Sequence, residues 1–482
     1  MCGIVLARAI THVSVARVRT AGFEMLWCES TRVVRLARGQ EAELAAEIRN
    51  RDTRAARFVG LRSVHAPELE VKLDPDSGEV PAGGRLRVRV QITAHRVGRY
   101  GIHGLSLEVR GAPGLFEVPL TFANPFGVLV VPRVASLLSR SPRGGRSRFV
   151  SHAGRPGPLS GDGTELRELR EHQPGDPFRR IAWKASARRR ALMVCDYERE
   201  ERDRVWLLLD GSVELWSGDL GWAPLDLALD ELASVADRHL RQQDSVGLAV
   251  IAGRVLSWVP PEQGIGHLAR IQEALADVGG TVDSDRSDLD EEDVAGLVLE
   301  HMRPLDPPAA QRVRANDLER IARRAERVIQ RSPWPGAQAY AGTARERSLR
   351  RYLVAFGVGT PVRQQAERPR TDTEMARILG DIVRQRPRPT LVYVWSPAPD
   401  PEYRPGLVRA LARYPRRRIE LRWIPMTELS NPAVRATPRA LVASFAVAER
   451  VRAARERGEH ALRRLGVRVE RLRRRHPEGH SV

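Results

Sequence analysis

Lysine, cysteine, aromatic side chains and long apolar runs are all scarce in this chain, and these scarcities narrow the class of protein. Only Lys72 and Lys184 are lysine among 79 basic residues. The three cysteines, Cys2, Cys28 and Cys195, fit neither a disulfide framework nor a zinc site, so we expect free thiols in a reducing compartment. Aromatic residues make up 5% of the 482-residue chain, which predicts modest cores and a heavily solvated surface.

No apolar run approaches the roughly 20 residues that a membrane-spanning helix requires. The apolar start, MCGIVLARAI, is short and is interrupted by Arg8, and it lacks the basic start and longer apolar region of a signal peptide. We therefore predict no transmembrane segment and a cytoplasmic location, with peripheral attachment to the inner membrane as an alternative.

The net charge of +19 points towards an anionic partner such as a nucleic acid. Nearly all of the positive charge is arginine, however, and a GC-rich genome produces the same bias because arginine codons are GC-rich and lysine codons are not. Two interpretations therefore stay open. The favoured one is a compositional bias, and the alternative is an anionic partner bound through a basic surface.

Residues 1–132 are predicted to form an all-β domain. Segments such as Leu86–Ile92 and Leu105–Val109 alternate apolar and polar side chains, with the period of two that is typical of half-buried strands. Turn sequences such as Asp74-Pro-Asp-Ser-Gly78 separate them, and the pattern favours a β-sandwich of immunoglobulin-like type. Residues 133–165, rich in Ser, Gly, Arg and Pro, are predicted to be a flexible linker.

Residues 166–278 and 371–482 are predicted to form one α/β domain of Rossmann-like type. Val205–Leu209 is a continuous apolar run, as expected of a strand buried on both faces, and helical and strand patterns alternate after it. This alternation indicates a mainly parallel sheet covered by helices on both faces. Residues 279–370 are predicted to be a helical insertion, and Glu165–Arg170 is predicted to form one or two helical turns.

An acidic residue directly follows the first strand of this α/β domain, in the sequence Asp210-Gly-Ser212-Val-Glu214. Ligands of open α/β sheets collect at the carboxyl ends of strands, and Mg²⁺ prefers oxygen ligands. The spacing resembles the D-x-S-x-S metal-dependent adhesion pattern of von Willebrand factor A domains, with Ser396 where a second acidic residue is expected. Two alternatives stay open: a degenerate Mg²⁺ site formed by Asp210, Ser212 and Glu214, or an aspartate that caps the following turn.

The segment before that strand concentrates opposite charges around a tryptophan. Its distinctive residues are Leu169, Arg170, Gly175, Asp176, Arg179, Arg180, Trp183, Lys184 and Arg188. They resemble the hallmark L-R-x-Y-x-x-G-D-x-x-R-x-I-x-W-K-x-x-A-R of the bacterial domain-of-unknown-function 58 family (DUF58), with His172 where the family usually has Tyr. We call residues 169–194 the hallmark segment.

The resemblance implies a von Willebrand A-like α/β domain after a β-sandwich, in a protein that is commonly encoded beside a MoxR-type AAA+ ATPase and thought to serve it as an adaptor or scaffold. Members usually begin with transmembrane helices, from which this chain departs. No nucleophile and base can be assembled into a catalytic set, so we expect no enzymatic activity.

The predicted function is therefore a protein-interaction module. We expect its docking surface to combine the hallmark segment with an open rim of the sheet that carries Asp210. The alternative is an Arg-rich binder of nucleic acid or another anionic polymer.

Overall fold

The computed structural model describes Val13 and residues 22–111, 116–134, 155–174, 176–216, 218–305, 313–314, 316–364, 368–414, 419–426 and 438–470. The chain divides into two compact units. The first unit comprises Met1–Arg133, Val213–Leu229 and Gln272–Glu367. The second unit comprises Val134–Ser212, Asp230–Ile271 and Arg368–Val482.

Strands and helices are numbered here in chain order through the described residues. The strands are β1 (Glu24–Trp27), β2 (Val33–Ala37), β3 (Glu41–Arg49), β4 (Ala56–His65), β5 (Leu69–Asp74), β6 (Gly78–Val80), β7 (Arg85–Ala94), β8 (Gly98–Gly111), β9 (Phe116–Phe122), β10 (Phe126–Val131), β11 (Arg155–Glu171), β12 (Met193–Glu201), β13 (Arg204–Asp210), β14 (Ser245–Ala252), β15 (Arg254–Glu262), β16 (Leu391–Ser396), β17 (Glu420–Pro425) and β18 (Arg468–Val469).

The helices are α1 (Trp183–Arg189), α2 (Pro224–Arg241), α3 (Ile265–Ala276), α4 (Glu291–Leu305), α5 (Leu318–Val328), α6 (Ala344–Phe356), α7 (Arg368–Arg384), α8 (Pro405–Ala412) and α9 (Pro438–Arg464). Within the described parts of the chain, none of these helices combines the length and the apolar character needed to cross a bilayer.

The first unit is built on two β-sheets that share one core. One sheet has the strand order β1-β3-β7-β5, and the other has the order β2-β10-β8-β4-β6 with β9 paired to β8. Every second residue at the centre of β7 is buried, and Val88, Val90 and Ile92 join Leu105 and Leu107 of β8 in that core. The apolar and polar residues alternate because one face of each strand is buried in this core, as the sequence predicts. The all-β character of the N-terminal region is confirmed.

The segment predicted to be a helical insertion contains α4, α5 and α6. These helices share a core of their own, to which they contribute Val298, Ile321 and Leu353 among others. The segment belongs to the same compact unit as the N-terminal strands.

The second unit contains a six-stranded sheet in the order β15-β14-β13-β16-β17-β18. All neighbouring strands are parallel except β14 and β15, which are antiparallel. Side chains of α7, α8 and α9 pack on one face, against Trp206 and Val392 among others. On the other face, His239 of α2 contacts Tyr393 of β16. The prediction of an α/β region with a mainly parallel sheet is confirmed.

The two edge strands of this sheet differ from its central strands in proline content and in length. Edge strand β15 contains Pro260 and Pro261, and the opposite edge strand β18 has only two residues.

The prediction of helical turns at Glu165–Arg170 is wrong, because this stretch belongs to β11. It pairs antiparallel with β12, and Leu169 and Arg170 lie opposite Cys195 and Val194. Backbone hydrogen bonds to that distant strand override the local helical preference of the charged sequence. The predicted linker, residues 133–165, accordingly includes the start of β11, while its residues 135–154 lie outside the described part of the chain.

Candidate functional site

Asp210 ends β13, and its carboxylate is fully buried at the carboxyl edge of the sheet. Ser212 donates to Oδ1 from its hydroxyl at 2.6 Å and from its backbone N–H at 3.1 Å. Ser396, the last residue of the adjacent strand β16, donates to Oδ2 at 2.8 Å. The sequence therefore brings Ser396 to Asp210 as predicted, but the expectation that Asp210 faces an open rim is wrong.

Two arginines compensate the buried charge of Asp210. Arg368, the first residue of α7, donates from Nη1 to Oδ2 at 2.5 Å. Arg404, just before α8, donates to the hydroxyl of Ser396 at 3.4 Å. Burial alone would raise the pKa of Asp210, but the charges of Arg368 and Arg404, with hydrogen bonds from Ser212 and Ser396, hold that pKa below its ordinary value. The carboxylate is therefore ionised at neutral pH.

The first turn of α7 contributes two more polar side chains. The Oγ1 atom of Thr371 lies 3.0 Å from the hydroxyl of Ser212 and accepts the N–H of Gly253 at 2.8 Å. Both carboxylate oxygens of Asp372 accept from Nε of Arg404 at 2.9 Å. We call this group the strand-end centre, formed by Asp210, Ser212, Arg368, Thr371, Asp372, Ser396 and Arg404.

The fit of a magnesium ion to this centre depends on free oxygen ligands and on charge. Mg²⁺ requires near-octahedral oxygen ligands at about 2.1 Å. Both oxygens of Asp210 already accept hydrogen bonds, and the charges of Asp210 and Asp372 are matched by those of Arg368 and Arg404. As these side chains lie, they do not fit a divalent cation.

The third predicted ligand, Glu214, lies in the 3₁₀ turn Val213–Trp216, which belongs to the first unit, whereas Asp210 and Ser212 belong to the second. Within the described residues, no group of three or more His, Cys, Asp or Glu side chains is placed to hold a metal ion. Magnesium binding by Asp210, Ser212 and Glu214 stays a prediction.

The hallmark segment is held by one bidentate ion pair. Arg170 donates to both oxygens of Asp176, at 2.7 and 2.8 Å, and the backbone N–H of Gln173 adds a bond at 2.8 Å. The hydrogen bonds from Arg170, and then that from Gln173, lower the pKa of Asp176 to about 2. The pair closes the turn between β11 and the 3₁₀ turn Phe178–Arg180, and Gly175 within it lies outside the described residues.

A buried serine fastens α1 to β12. The hydroxyl of Ser186 accepts the backbone N–H of Met193 at 2.8 Å and donates to the carbonyl of Ala182 at 3.0 Å. The carbonyl of Met193 in turn accepts the N–H of Ala182 at 2.8 Å, and Ile181 forms a bridge to Val194. These contacts fix the orientation of α1 on the hairpin.

The hallmark segment exposes both large aromatic side chains and cations. Phe178 is 77% exposed and Trp183 is 64% exposed, although both are large aromatic side chains. Lys184 and Arg188 lie four residues apart on α1 and are exposed on the same side of the helix.

The other predicted residues of this segment differ in their solvent exposure. Arg179 is exposed, Arg180 is half-buried, and Leu169 is exposed on β11. Across the described chain, none of the donors to Asp210 comes from the hallmark segment, so the predicted union of the two into one surface lacks a direct contact.

A second buried polar cluster lies under the other face of the sheet, and the sequence analysis missed it. Nδ1 of His239 lies 2.7 Å from Oδ2 of Asp244, and Nε2 lies 3.3 Å from the hydroxyl of Tyr393, to which Arg422 donates at 3.0 Å. All of these side chains are buried, and burial lowers the pKa of His239 despite the raising effect of Asp244. The order Asp-His-Tyr resembles a catalytic relay, but its burial favours a stabilising role.

Sequence reasoning also missed Arg368, Thr371 and Arg404, which complete the strand-end centre. Arg368 and Thr371 contact Asp210 and Ser212 across 158 and 159 residues of sequence, and Arg404 contacts Asp372 across 32. A usable signal was present, since α7 lies between two strands of a parallel sheet and polar residues in its first turn gather at the same carboxyl edge.

Comparisons with known proteins support the hallmark. Residues 168–327 match the family described as "Protein of unknown function DUF58", so the resemblance predicted from the hallmark residues is confirmed for this segment. The uncharacterized protein Rv1480 of Mycobacterium tuberculosis and the uncharacterized protein Mb1516 of Mycobacterium bovis are each 29% identical to this chain over 131 residues. These matches cover 26% of this chain and 40% of the length of each relative.

Solved structures resemble the chain only weakly. PapD-like domain 7 of human CEP192 is 15% identical with a TM-score of 0.19, and covers 23% of this chain and 86% of its own. The cupredoxin domain of amoB from Nitrosocaldus yellowstonii is 13% identical with a TM-score of 0.14, and covers 19% and 55%. At these scores the likeness supports no inference.

Proposed function

We propose that this DUF58-related chain is a non-enzymatic protein-interaction module that serves as an adaptor for a MoxR-type AAA+ ATPase, with the hallmark segment as its docking surface. One observation carries the proposal. Phe178, Trp183, Lys184 and Arg188 are all exposed within one short, well-anchored stretch of the segment that matches the family. Exposed aromatic side chains flanked by cations are typical of the residues that dominate binding energy at interfaces.

The anchoring of this surface supports the proposal. The Arg170–Asp176 pair and the bonds of Ser186 hold the loop and α1 before any partner arrives. A surface that is already ordered loses less conformational entropy on binding, so more of the contact energy appears as affinity.

Charge complementarity indicates what the partner's surface is like. Lys184, Arg188 and Arg189 are exposed on α1, whereas the segment has two acidic residues, of which Asp176 is engaged by Arg170 and Glu171 lies on β11. The docking site on the ATPase is therefore acidic with an apolar centre that receives Trp183. Opposite potentials across the interface raise the association rate and make it depend on salt.

The second unit is proposed to be von Willebrand A-like, and the N-terminal strands an immunoglobulin-like sandwich. Asp210 and Ser212 lie at the carboxyl end of β13, where the adhesion pattern of such domains has its first Asp and Ser, and Ser396 at the end of β16 takes the position of the second acidic residue. In this proposal the protein works in the cytoplasm, and any attachment to the inner membrane is peripheral.

The test uses the full chain and a purified MoxR-type ATPase from the same organism, with binding measured by biolayer interferometry in the presence of ATP. The double variant Phe178→Ala/Trp183→Ala is expected to weaken binding at least about 30-fold, equivalent to the loss of roughly 2 kcal/mol at a central aromatic site. Arg188→Glu is expected to slow association. Tyr403→Ala removes an equally exposed aromatic side chain outside the segment and serves as the control.

Either of two results would refute the proposal. One is the absence of any binding to the ATPase with or without nucleotide. The other is binding that the Phe178→Ala/Trp183→Ala variant retains in full while its circular dichroism spectrum matches that of the parent chain.

The alternative function is binding of nucleic acid or another anionic polymer, and the net charge of +19 favours it. It predicts binding of a fluorescent DNA duplex whose affinity falls steeply, by about 10³-fold or more, between 50 and 200 mM salt. A flat salt response, or no binding at low salt, would dismiss it.

A further inference from the structure

The strand-end centre contains a cation supplied by the chain itself. The guanidinium group of Arg368 lies against Oδ2 of Asp210 at 2.5 Å, and the side chain of Arg368 is only 18% exposed while Asp210 is fully buried. Around the pair stand the hydroxyl groups of Ser212, Thr371 and Ser396, each within 3.0 Å of Asp210 or of one another. Carboxylate and hydroxyl oxygens that converge in this way are the ligand types of a hard divalent cation.

Charge neutrality explains why the positive group is needed. A buried carboxylate without a positive partner would be strongly disfavoured, and would take up a proton instead. Here Arg368 matches Asp210 and Arg404 matches Asp372, so the four ionised groups sum to zero. A divalent ion added to this set would leave an excess of two positive charges in a buried place.

The position of Arg368 in the chain also matters. It is the first residue of α7, and Thr371 and Asp372 of the same turn contact Ser212 and Arg404. One helical turn therefore delivers the cation, a hydroxyl group and a carboxylate together.

We propose that the guanidinium group of Arg368 takes the place of the divalent cation at the carboxyl edge of this sheet, so that the strand-end centre is complete without metal. Any partner contact near this edge then requires no divalent ion. The proposal does not depend on the identity of the partner, and the following experiment needs no ATPase.

The test is thermal unfolding of the full chain, followed by tryptophan fluorescence, in EDTA and in millimolar MgCl₂. For the parent chain we expect the two midpoints to agree within about 1 °C. Arg368→Met removes the charge and keeps most of the side-chain volume, so its midpoint in EDTA should fall by about 5 to 10 °C. MgCl₂ should then recover at least half of that loss, because Asp210 and the three hydroxyl groups become available as ligands.

Two controls make the result specific. Arg370→Met removes a charge from the same turn at an exposed position and should change neither midpoint. Adding Asp210→Asn to Arg368→Met should abolish the response to MgCl₂. The proposal is overturned if Arg368→Met folds but does not respond to MgCl₂, or if MgCl₂ stabilises the parent chain and Asp210→Asn removes that effect.

A second measurement decides the matter if Arg368→Met does not fold. Binding of Mn²⁺ to the parent chain and to Arg368→Lys is measured by equilibrium dialysis, since Lys keeps the charge at this position. No binding that depends on Asp210 is expected in either protein. Binding that Asp210→Asn abolishes in the parent chain would overturn the proposal.

Discussion

The Nε2 atom of His301 on α4 lies 3.0 Å from the Nδ1 atom of His103 on β8. The other ring nitrogen of His301 lies 3.0 Å from the hydroxyl of Tyr352 on α6. Burial, and then the charge of a neighbouring histidine, lowers the pKa of His103 to about 4 and that of His301 to about 3. Both rings are therefore neutral at pH 7, and one donates its N–H to the lone pair of the other.

This pair predicts that acid weakens the first unit. Because both folded pKa values lie below the ordinary value of about 6.5, the unfolded chain takes up protons first as the pH falls. The stabilisation is complete above pH 6.5 and declines as the pH falls from 6.5 to about 4 for His103 and to about 3 for His301. At pH 5 the contribution of each histidine to the free energy of unfolding should be about 2 kcal/mol smaller than at pH 7. Urea unfolding at pH 7 and at pH 5 would measure this difference.

The variant His103→Asn/His301→Asn isolates the contribution of the pair. It should be less stable at pH 7 and should lose less stability than the parent chain between pH 7 and pH 5. Parallel pH profiles for the two proteins would show that the histidine pair does not cause the acid sensitivity.

Removing one partner of the buried Arg404–Asp372 pair should destabilise the second unit strongly. Arg404 is 7% exposed and Asp372 is 12% exposed, so Arg404→Ala leaves a carboxylate without its charge partner in a poorly solvated place. We expect a loss of about 3 to 5 kcal/mol in the free energy of unfolding, measured by urea titration. Arg409→Ala, at an exposed position on α8, should stay within about 0.5 kcal/mol of the parent chain.

A double-mutant cycle completes this prediction. Asp372→Ala combined with Arg404→Ala should cost much less than the sum of the single variants, because each side chain is harmful mainly when the other is missing. Additive losses would mean that the two side chains stabilise the unit independently.

Ser186→Ala should loosen the hallmark segment locally. The backbone N–H of Met193 loses the hydroxyl that accepts it at 2.8 Å, in a buried position, at a cost of about 1 to 3 kcal/mol. We expect amide hydrogen exchange in the peptide that contains Met193 to become roughly tenfold faster or more. Ala187→Ser, one residue along on the exposed side of α1, is the control. Unchanged exchange in Ser186→Ala would mean that other contacts hold α1 to the hairpin.

Two glycine-to-alanine variants should shift stability in opposite directions. At Gly104 on β8, φ is +154° and an added Cβ would lie 1.9 Å from the carbonyl oxygen of Phe122, so Gly104→Ala should cost about 2 to 4 kcal/mol. Gly296 is exposed within α4 with open space around it, so Gly296→Ala should stabilise by about 0.5 to 1 kcal/mol. Thermal unfolding of both variants checks the prediction, and a stabilised Gly104→Ala variant would contradict it.

Local sequence patterns predicted most elements, because their cause is local. The alternation in β7 and the apolar run of β13 each follow from which faces are buried. The stretch Glu165–Arg170 was mispredicted because its strand form depends on pairing with β12, which no local pattern reveals.

Some features of the candidate site are likewise predictable from the sequence, and others are not. The strand-end position of Asp210 and its proximity to Ser396 follow from the rules of parallel sheets. The ion pair of Asp210 with Arg368 does not follow from those rules. An arginine-rich sequence offers dozens of equivalent cations, and only the packing of the folded chain selects one of them. Burial of Asp210 is a consequence of that same packing, which is why the predicted open rim was wrong.

The two prolines of edge strand β15 restrict how a partner can bind the second unit. Proline has no N–H to donate, so Pro260 and Pro261 interrupt the row of backbone groups to which an added strand would hydrogen-bond. The opposite edge strand, β18, is too short to template one. Addition of a partner's strand at either edge of the six-stranded sheet is therefore disfavoured, which protects this sheet from growth into aggregates.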